Sequence, residues 1–180
     1  KYMTEHQRII FNGNGYSQEW VEEAARRGLP NISSMVGTIE TLTTEKSIAL
    51  FEKFHIFTKA ELEARKEVLY DTFSKTINIE ALTMIDMANK QIIPAVVRYA
   101  KDLADTVIAV KAAGAVAFVT EELLRETTAK LKEMKQACEQ LAESEAKASA
   151  MPRGKEQAFF YREEIVTAME RLRKPADELE

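Results

Sequence analysis

Between Leu62 and Val110, apolar side chains return at steps of mostly three and four residues: Leu62, Leu69, Phe73, Ile77, Ala81, Met84, Ala88, Ile92, Ala95, Tyr99, Leu103, Val107 and Val110. That spacing lays them along one stripe of an α-helix. The start of this helix is marked by Thr58-Lys59-Ala60-Glu61, the S/T-x-x-E pattern in which a hydroxyl and a carboxylate satisfy each other's free backbone donors. Running unbroken to Lys111, it would span about 80 Å at 1.5 Å per residue. Two places invite an interruption. β-Branched residues cluster at Thr76–Ile79, and Pro94 lacks a backbone donor and should kink the helix.

A stripe of that length needs partners of similar length, and the sequence supplies two. From Thr120, Leu124, Thr127, Leu131, Met134, Cys138, Leu141, Glu145 and Ala148 alternate steps of three and four, a heptad seam that weakens toward its end. The stretch MPRGK, residues 151–155, supplies Pro and Gly for a reversal. A last helix over residues 156–173 aligns Ala158, Tyr161, Ile165, Ala168 and Leu172, with Leu179 continuing the face beyond Pro175. Residues 112–118, small and apolar around Gly114, fit either a tight turn or a close helix crossing.

Ahead of the long helices, Ser17 caps a short helix over residues 18–27 that Gly28 and Pro30 end. Residues 29–42 have no sustained period and read as a loop; a second short helix covers residues 44–54. The expected fold is all-α: an antiparallel helical bundle of three long amphipathic helices, with two short N-terminal helices packed on one end.

A chain of 180 residues, 46% hydrophobic, can bury one core. Its net charge of -4 and pI near 5.5 argue against nucleic acid as a partner, since phosphate binding needs a clustered excess of Lys and Arg. The longest apolar run, residues 107–119, is too short to cross a bilayer and contains Lys111, so no membrane partner is expected. No signal-peptide pattern precedes it. The lone Cys138 forbids an internal disulfide and suits a cytoplasmic setting. The chain begins at Lys1 and not at Met, which fits a processed or excised piece.

The chemistry-bearing residues are sparse. His6 and His55 are the only histidines, and neither stands in an E-x-x-H or H-x-x-x-H pattern; His55 reads as a helix-end or packing residue. Cys138, on the seam with no histidine near it in sequence, reads as a buried structural thiol. The least ordinary polar stretch runs over residues 74–95, where polar groups interrupt apolar residues on several faces. Ile77, Ile79, Glu80, Leu82, Ile85, Asp86, Asn89 and Pro94 form a candidate surface there, open both to packing within the chain and to docking on another domain or subunit. Near the N-terminus, Asn12, Gly13, Asn14 and Gly15 form two Asn-Gly steps. They lack the Gly-Lys-Ser/Thr of a phosphate loop and the third glycine of a dinucleotide loop, so a turn with positive φ, or a hinge, is the reading.

Three stretches carry a family resemblance: HQRIIFNGNGYSQEWVEEAARRGLPN (residues 6–31), SKTINIEALTMIDMANKQIIPAVVRYAKDLA (74–104) and AMERLRKPADELE (168–180). They resemble the C-terminal region of type III glutamine synthetases, over nearly the whole chain and least over residues 116–155. The resemblance implies a parent enzyme that joins glutamate and ammonia using ATP and Mg2+ or Mn2+, and that assembles from hexameric rings into a dodecamer. It also implies that the catalytic, cofactor-binding and metal-binding residues lie upstream, so none is assigned here. On this view residues 1–16 are an exit strand, RIIF, and a turn leaving an absent catalytic domain, and residues 17–180 are an appended helical domain serving assembly, docking or regulation. The partners are then the upstream catalytic domain and neighbouring subunits. Read without the resemblance, the same pattern describes a free-standing coiled-coil interaction module.

Overall fold

The computed structural model describes residues 2–7, 10 and 12–180, and every regular element among them is helical. A single turn, α1 (Tyr2–Glu5), is followed by α2 (Gln18–Arg26), α3 (Met35–Thr41) and α4 (Glu45–Lys53). The long α5 (Lys59–Met87) passes through one π-helical turn, Ala88–Ile92, into α6 (Ile93–Ala112). Then α7 (Phe118–Ala150) runs back antiparallel, and α8 (Lys155–Phe160), a second π turn at Tyr161–Ile165, and α9 (Val166–Leu179) run forward again. This is the antiparallel all-α bundle expected. Of the proposed exit strand, Arg8, Ile9 and Phe11 lie outside the described residues.

The helix starts follow from local chemistry. Ser17, Ser34 and Thr44 each accept a backbone N–H three residues on, from Trp20, Gly37 and Ser47. At α5 the capping box is complete: Thr58 N–H donates to Glu61 Oε2 at 2.7 Å, and Glu61 N–H donates back to Thr58 Oγ1 at 3.3 Å. Three ends share one device, in which a left-handed residue lets the chain fold back on its last carbonyls. Gly28 (φ 72°) does this after α2, with Leu29 N–H on the Ala24 carbonyl at 2.9 Å; Gly114 (φ 80°) does it after α6, with Ala115 N–H on Val110 at 3.1 Å. After α4 the position is held by His55 (φ 53°), with Ile56 N–H on Phe51 at 3.0 Å. The helix-end reading of His55 holds, in a conformation that favours glycine. Gly114 likewise resolves residues 112–118 as a turn.

Four expectations need correction. The stretch read as a loop contains α3, because Val36 and Ile39, three residues apart, bury completely in a cluster with Tyr70 of α5 and Ala158 of α8. Tertiary packing overrides weak propensity there. Gly37 lies in a tight place: a Cβ there would stand 3.0 Å from Ile32 Cγ2 and 3.2 Å from Ser34 Oγ, so those side chains would have to give way slightly. Second, α5 runs straight through Thr76–Ile79, since β-branched residues lower helix propensity only slightly. Third, α9 carries Pro175 inside it and continues to Leu179; the lost backbone bond is offset by burying the proline ring beside Leu172. Fourth, the heptad seam of α7 tightens toward its end: Met134, Cys138, Leu141 and Ala148 are buried, while Leu124, Thr127 and Leu131 are only half-buried.

Pro94 does interrupt the long helix. It sits at the second residue of α6, and the π turn before it lets Ile93 N–H reach back to the Ala88 carbonyl, five residues away. The wider turn displaces the carbonyl that the proline ring would otherwise strike. It also shifts the buried stripe by one residue. Ala88 is buried as expected, but Val96 takes the place assigned to Ala95, and Tyr99 is half exposed before Leu103 returns to the core.

The main core gathers Ala81 and Ala88 from α5 and its π turn, Met134, Cys138, Leu141 and Ala148 from α7, and Tyr161, Ile165, Ala168 and Leu172 from the last helix. Small alanines on three helices let the backbones approach closely, and the larger side chains fill the space between them.

Candidate functional site

The candidate surface on residues 77–94 divides between inside and outside. Ile77 and Ile85 pack against the main core, and Pro94 is half-buried at the start of α6. Asn89 turns its amide inward, donating to the Ile85 carbonyl at 3.0 Å and to Cys138 Sγ at 3.4 Å. Ile79 (65% exposed) and Leu82 (47%) face solvent, with Met87 further along and with Glu80 and Asp86 among them. Asp86 pairs with Lys90 one turn on. Burial pushes the Cys138 thiol upward, away from thiolate character, and the Asn89 contact makes it part of the core.

A second outward-facing apolar region lies where the bundle thins. The end of α9 reaches only as far as Lys130, whose Nζ pairs with Glu178 at 2.6 Å, and Leu179 borders a cleft with Val96, Tyr99, Leu123 and Thr127. Beyond that point α6 has α7 as its chief partner, a two-helix arm about 18 Å long at 1.5 Å per residue. At its tip Val116 (86% exposed), Phe118 (69%), Val119 and Ile108 are open to solvent, flanked by a Lys111–Glu121 pair.

The most strongly perturbed acid is one that the sequence reading passed over. Glu40 of α3 accepts Lys155 Nζ at 2.8 Å, lies 3.3 Å from Lys66 Nζ, and accepts the Tyr70 hydroxyl. These partners, Lys155 first, hold its carboxyl down at about 2. Burial, and then Glu40 itself, push the Tyr70 hydroxyl upward. Lys66 also donates to Thr43 Oγ1 at 3.2 Å. The group clasps α3, α5 and α8 together. Its signal was hidden because Glu40 stands in the stretch read as a loop.

The N-terminal Asn-Gly pair forms a turn without the expected left-handed glycine at Gly15. Asn14 Oδ1 accepts Tyr16 N–H at 3.0 Å, and the Asn14 carbonyl accepts Ser17 N–H at 3.2 Å and Ser17 Oγ–H at 3.0 Å. Gly15 has no positive φ, and a Cβ there would meet nothing within 4 Å. Asn12, Gly13, Asn14 and Gly15 are all exposed. Among the described residues no group of three or more His, Cys, Asp or Glu side chains could hold a metal ion, and no helix is long and apolar enough to cross a membrane.

Residues 1–111 match the family described as glutamine synthetase C-terminal domain. A glutamine synthetase of Butyrivibrio fibrisolvens is 39% identical over 177 residues, covering 97% of this chain and 25% of the relative. A type-3 glutamine synthetase of Dictyostelium discoideum is 37% identical over 105 residues, 58% of this chain and 14% of the relative. A glutamine synthetase of Bacteroides fragilis (strain YCH46) is 30% identical over 178 residues, 96% and 24%. The chain thus spans about a quarter or less of these relatives. A helical bundle with its inward faces closed, matched in this way, belongs to the glutamine synthetase C-terminal domain family.

Proposed function

We propose that this chain is a non-catalytic domain of a longer glutamine synthetase that makes glutamine from glutamate, ammonia and ATP, and that it serves assembly. Residues 1–16 form the exit segment from the catalytic portion, with Asn12 to Gly15 as the hinge, and residues 17–180 form the domain. The observation that carries this reading is the exposed apolar set on a chain whose own core is filled: Ile79 and Leu82 on α5, and Val116, Phe118 and Val119 at the arm tip. Apolar side chains exposed close together in the sequence, at 79 and 82 and again at 116, 118 and 119, support a contact role for these two places. The proposed partners are the upstream catalytic domain and neighbouring subunits of a homo-oligomer, a dodecamer in keeping with the type III likeness. The acidic balance fits neither nucleic acid nor anionic membrane as partner. The proposed compartment is the cytoplasm, in keeping with a single buried, unpaired thiol.

ATP and Mg2+ or Mn2+ belong to the parent reaction. In keeping with the type III likeness, their ligands are proposed to lie in the upstream portions, and no catalytic residue is assigned to this segment.

The test uses the full-length enzyme containing this chain. Ile79→Glu with Leu82→Glu, and separately Phe118→Asp, should shift the oligomer to smaller species in light scattering while the melting temperature of the isolated 180-residue chain stays within a degree or two, as expected for exposed sites. An oligomer unchanged in both variants would remove the basis for the docking role.

A further inference from the structure

The dipeptide Asn-Gly occurs twice in succession, at residues 12–13 and 14–15, and all four residues are exposed. The two copies have different surroundings. Asn14 is tied through both its side chain and its backbone: Oδ1 accepts Tyr16 N–H at 3.0 Å, and the carbonyl accepts Ser17 N–H at 3.2 Å and Ser17 Oγ–H at 3.0 Å, in the turn that leads into the cap of α2. Among the described residues, Asn12 and Gly13 make no hydrogen bond.

An asparagine followed by glycine can react with its own backbone. The glycine nitrogen gives up its proton to water or hydroxide and attacks the asparagine Cγ; the N–Cγ bond forms, the Cγ–Nδ2 bond breaks, and ammonia leaves, closing a five-membered imide. Water then opens the imide at Cγ to give aspartate, or at the main-chain carbonyl to give isoaspartate, with no change of oxidation state. Glycine favours the attack because it has no Cβ to obstruct its nitrogen and turns freely about its backbone bonds. Ring closure needs the side-chain amide and the next peptide plane to swing toward each other. At Asn14 both are held, since the carbonyl bonded to Ser17 belongs to the same rigid plane as the Gly15 nitrogen.

We propose that Asn12 is a site of spontaneous modification, converting to aspartate and isoaspartate, and that the turn at Asn14 protects the second copy of the same dipeptide. The other asparagines lack the combination. Asn31 is exposed and irregular but is followed by the β-branched Ile32, while Asn78 and Asn89 lie in helical backbone with their amides bonded. Conversion at residue 12 adds a carboxylate, and the isoaspartyl form adds one carbon to the backbone, in the segment joining α1 to α2. The inference rests on local geometry and is independent of the assembly and hinge readings.

Peptide mass spectrometry of the 180-residue chain during incubation in neutral buffer, with fragmentation that separates aspartate from isoaspartate, tests it. Both products should appear at residue 12 at least about fivefold faster than at residue 14, the factor that one hydrogen bond of ordinary net strength supplies, while Asn31, Asn78 and Asn89 keep their amides over the same period. Gly13→Ala should abolish the conversion at residue 12. Ser17→Ala, which removes one of the bonds on the Asn14 carbonyl and the cap of α2, should speed residue 14 about fivefold and leave residue 12 unchanged. An Asn12 that keeps its amide, equal rates at residues 12 and 14 in the parent chain, or a Ser17→Ala chain whose Asn14 reacts no faster would overturn the proposal.

Discussion

One helix, α7, lives in two environments. In its C-terminal half Met134, Cys138, Leu141 and Ala148 are closed to solvent, each enclosed by α5 and the last helix. In its N-terminal half Leu124 and Thr127, on the same heptad seam, are only half-buried, and on the facing α6 the best-covered side chain beyond the π turn and Val96 is Leu103, at 9% exposure. The seam is continuous; the number of helices around it is not. A three-helix base excludes water from an apolar row, whereas a two-helix arm covers one side of it. Periodicity therefore fixes which side chains turn inward, and the presence of a third helix fixes how far they are buried.

The largest way to break this contrast is to remove the helices that close the base. The family match ends at residue 111, yet the buried faces of α5 are completed by α7 and the last helix. A fragment ending there should show no cooperative urea transition, because Ala81, Ala88 and their apolar neighbours would lose their cover; a sharp transition would mean that the first 111 residues form a folding unit. Next, Leu141→Ala or Ile165→Ala in the base should cost about 2–5 kcal/mol, while Leu124→Ala in the arm should cost less than about 1.5 kcal/mol, since a half-buried site can refill with water. Urea unfolding of the variants measures both, and equal losses would erase the distinction.

Smaller effects sharpen the picture of the base. Glu40 has its carboxyl held at about 2 against 4.5 when free, so the folded state binds fewer protons than the unfolded one. Its contribution is complete above pH 4.5 and is lost as pH falls from there toward 2. With the side chain one-third exposed, about 1 kcal/mol is expected after solvent screening. Glu40→Gln should flatten the stability curve in that window, and an unchanged curve would show that the clasp contributes nothing. The smallest change concerns His55, which holds a left-handed position without glycine's freedom. His55→Gly should stabilise the chain by up to about 1 kcal/mol in a thermal melt, and a loss of stability would show that the imidazole makes a contact worth more than the strain.

The parts legible in the sequence were those set by local rules. The capping box at Thr58, the left-handed stop at Gly28 and the inward face of the last helix each needed only nearby residues, and each stands where its spacing put it. The parts that were not legible depend on contacts distant in sequence. Helix α3 exists because Val36 and Ile39 find Tyr70, more than thirty positions away. Ala95 and Tyr99 left the stripe because a π turn ahead of Pro94 added width that no residue pattern announces. On the candidate surface, sequence marked residues 77–94 as unusual, but only packing could send Ile77, Ile85 and Asn89 inward while leaving Ile79 and Leu82 outside.

Hydrogen exchange along α7 in the isolated 180-residue chain tests the division into base and arm most directly, since both halves belong to one helix of similar composition. Amides of residues 134–148 should exchange only through global unfolding, and those of residues 118–127 should exchange through local opening, orders of magnitude faster. Uniform protection from residue 118 to residue 148 would contradict the account, for it would mean that the arm is as firmly held without a third helix as the base is with one.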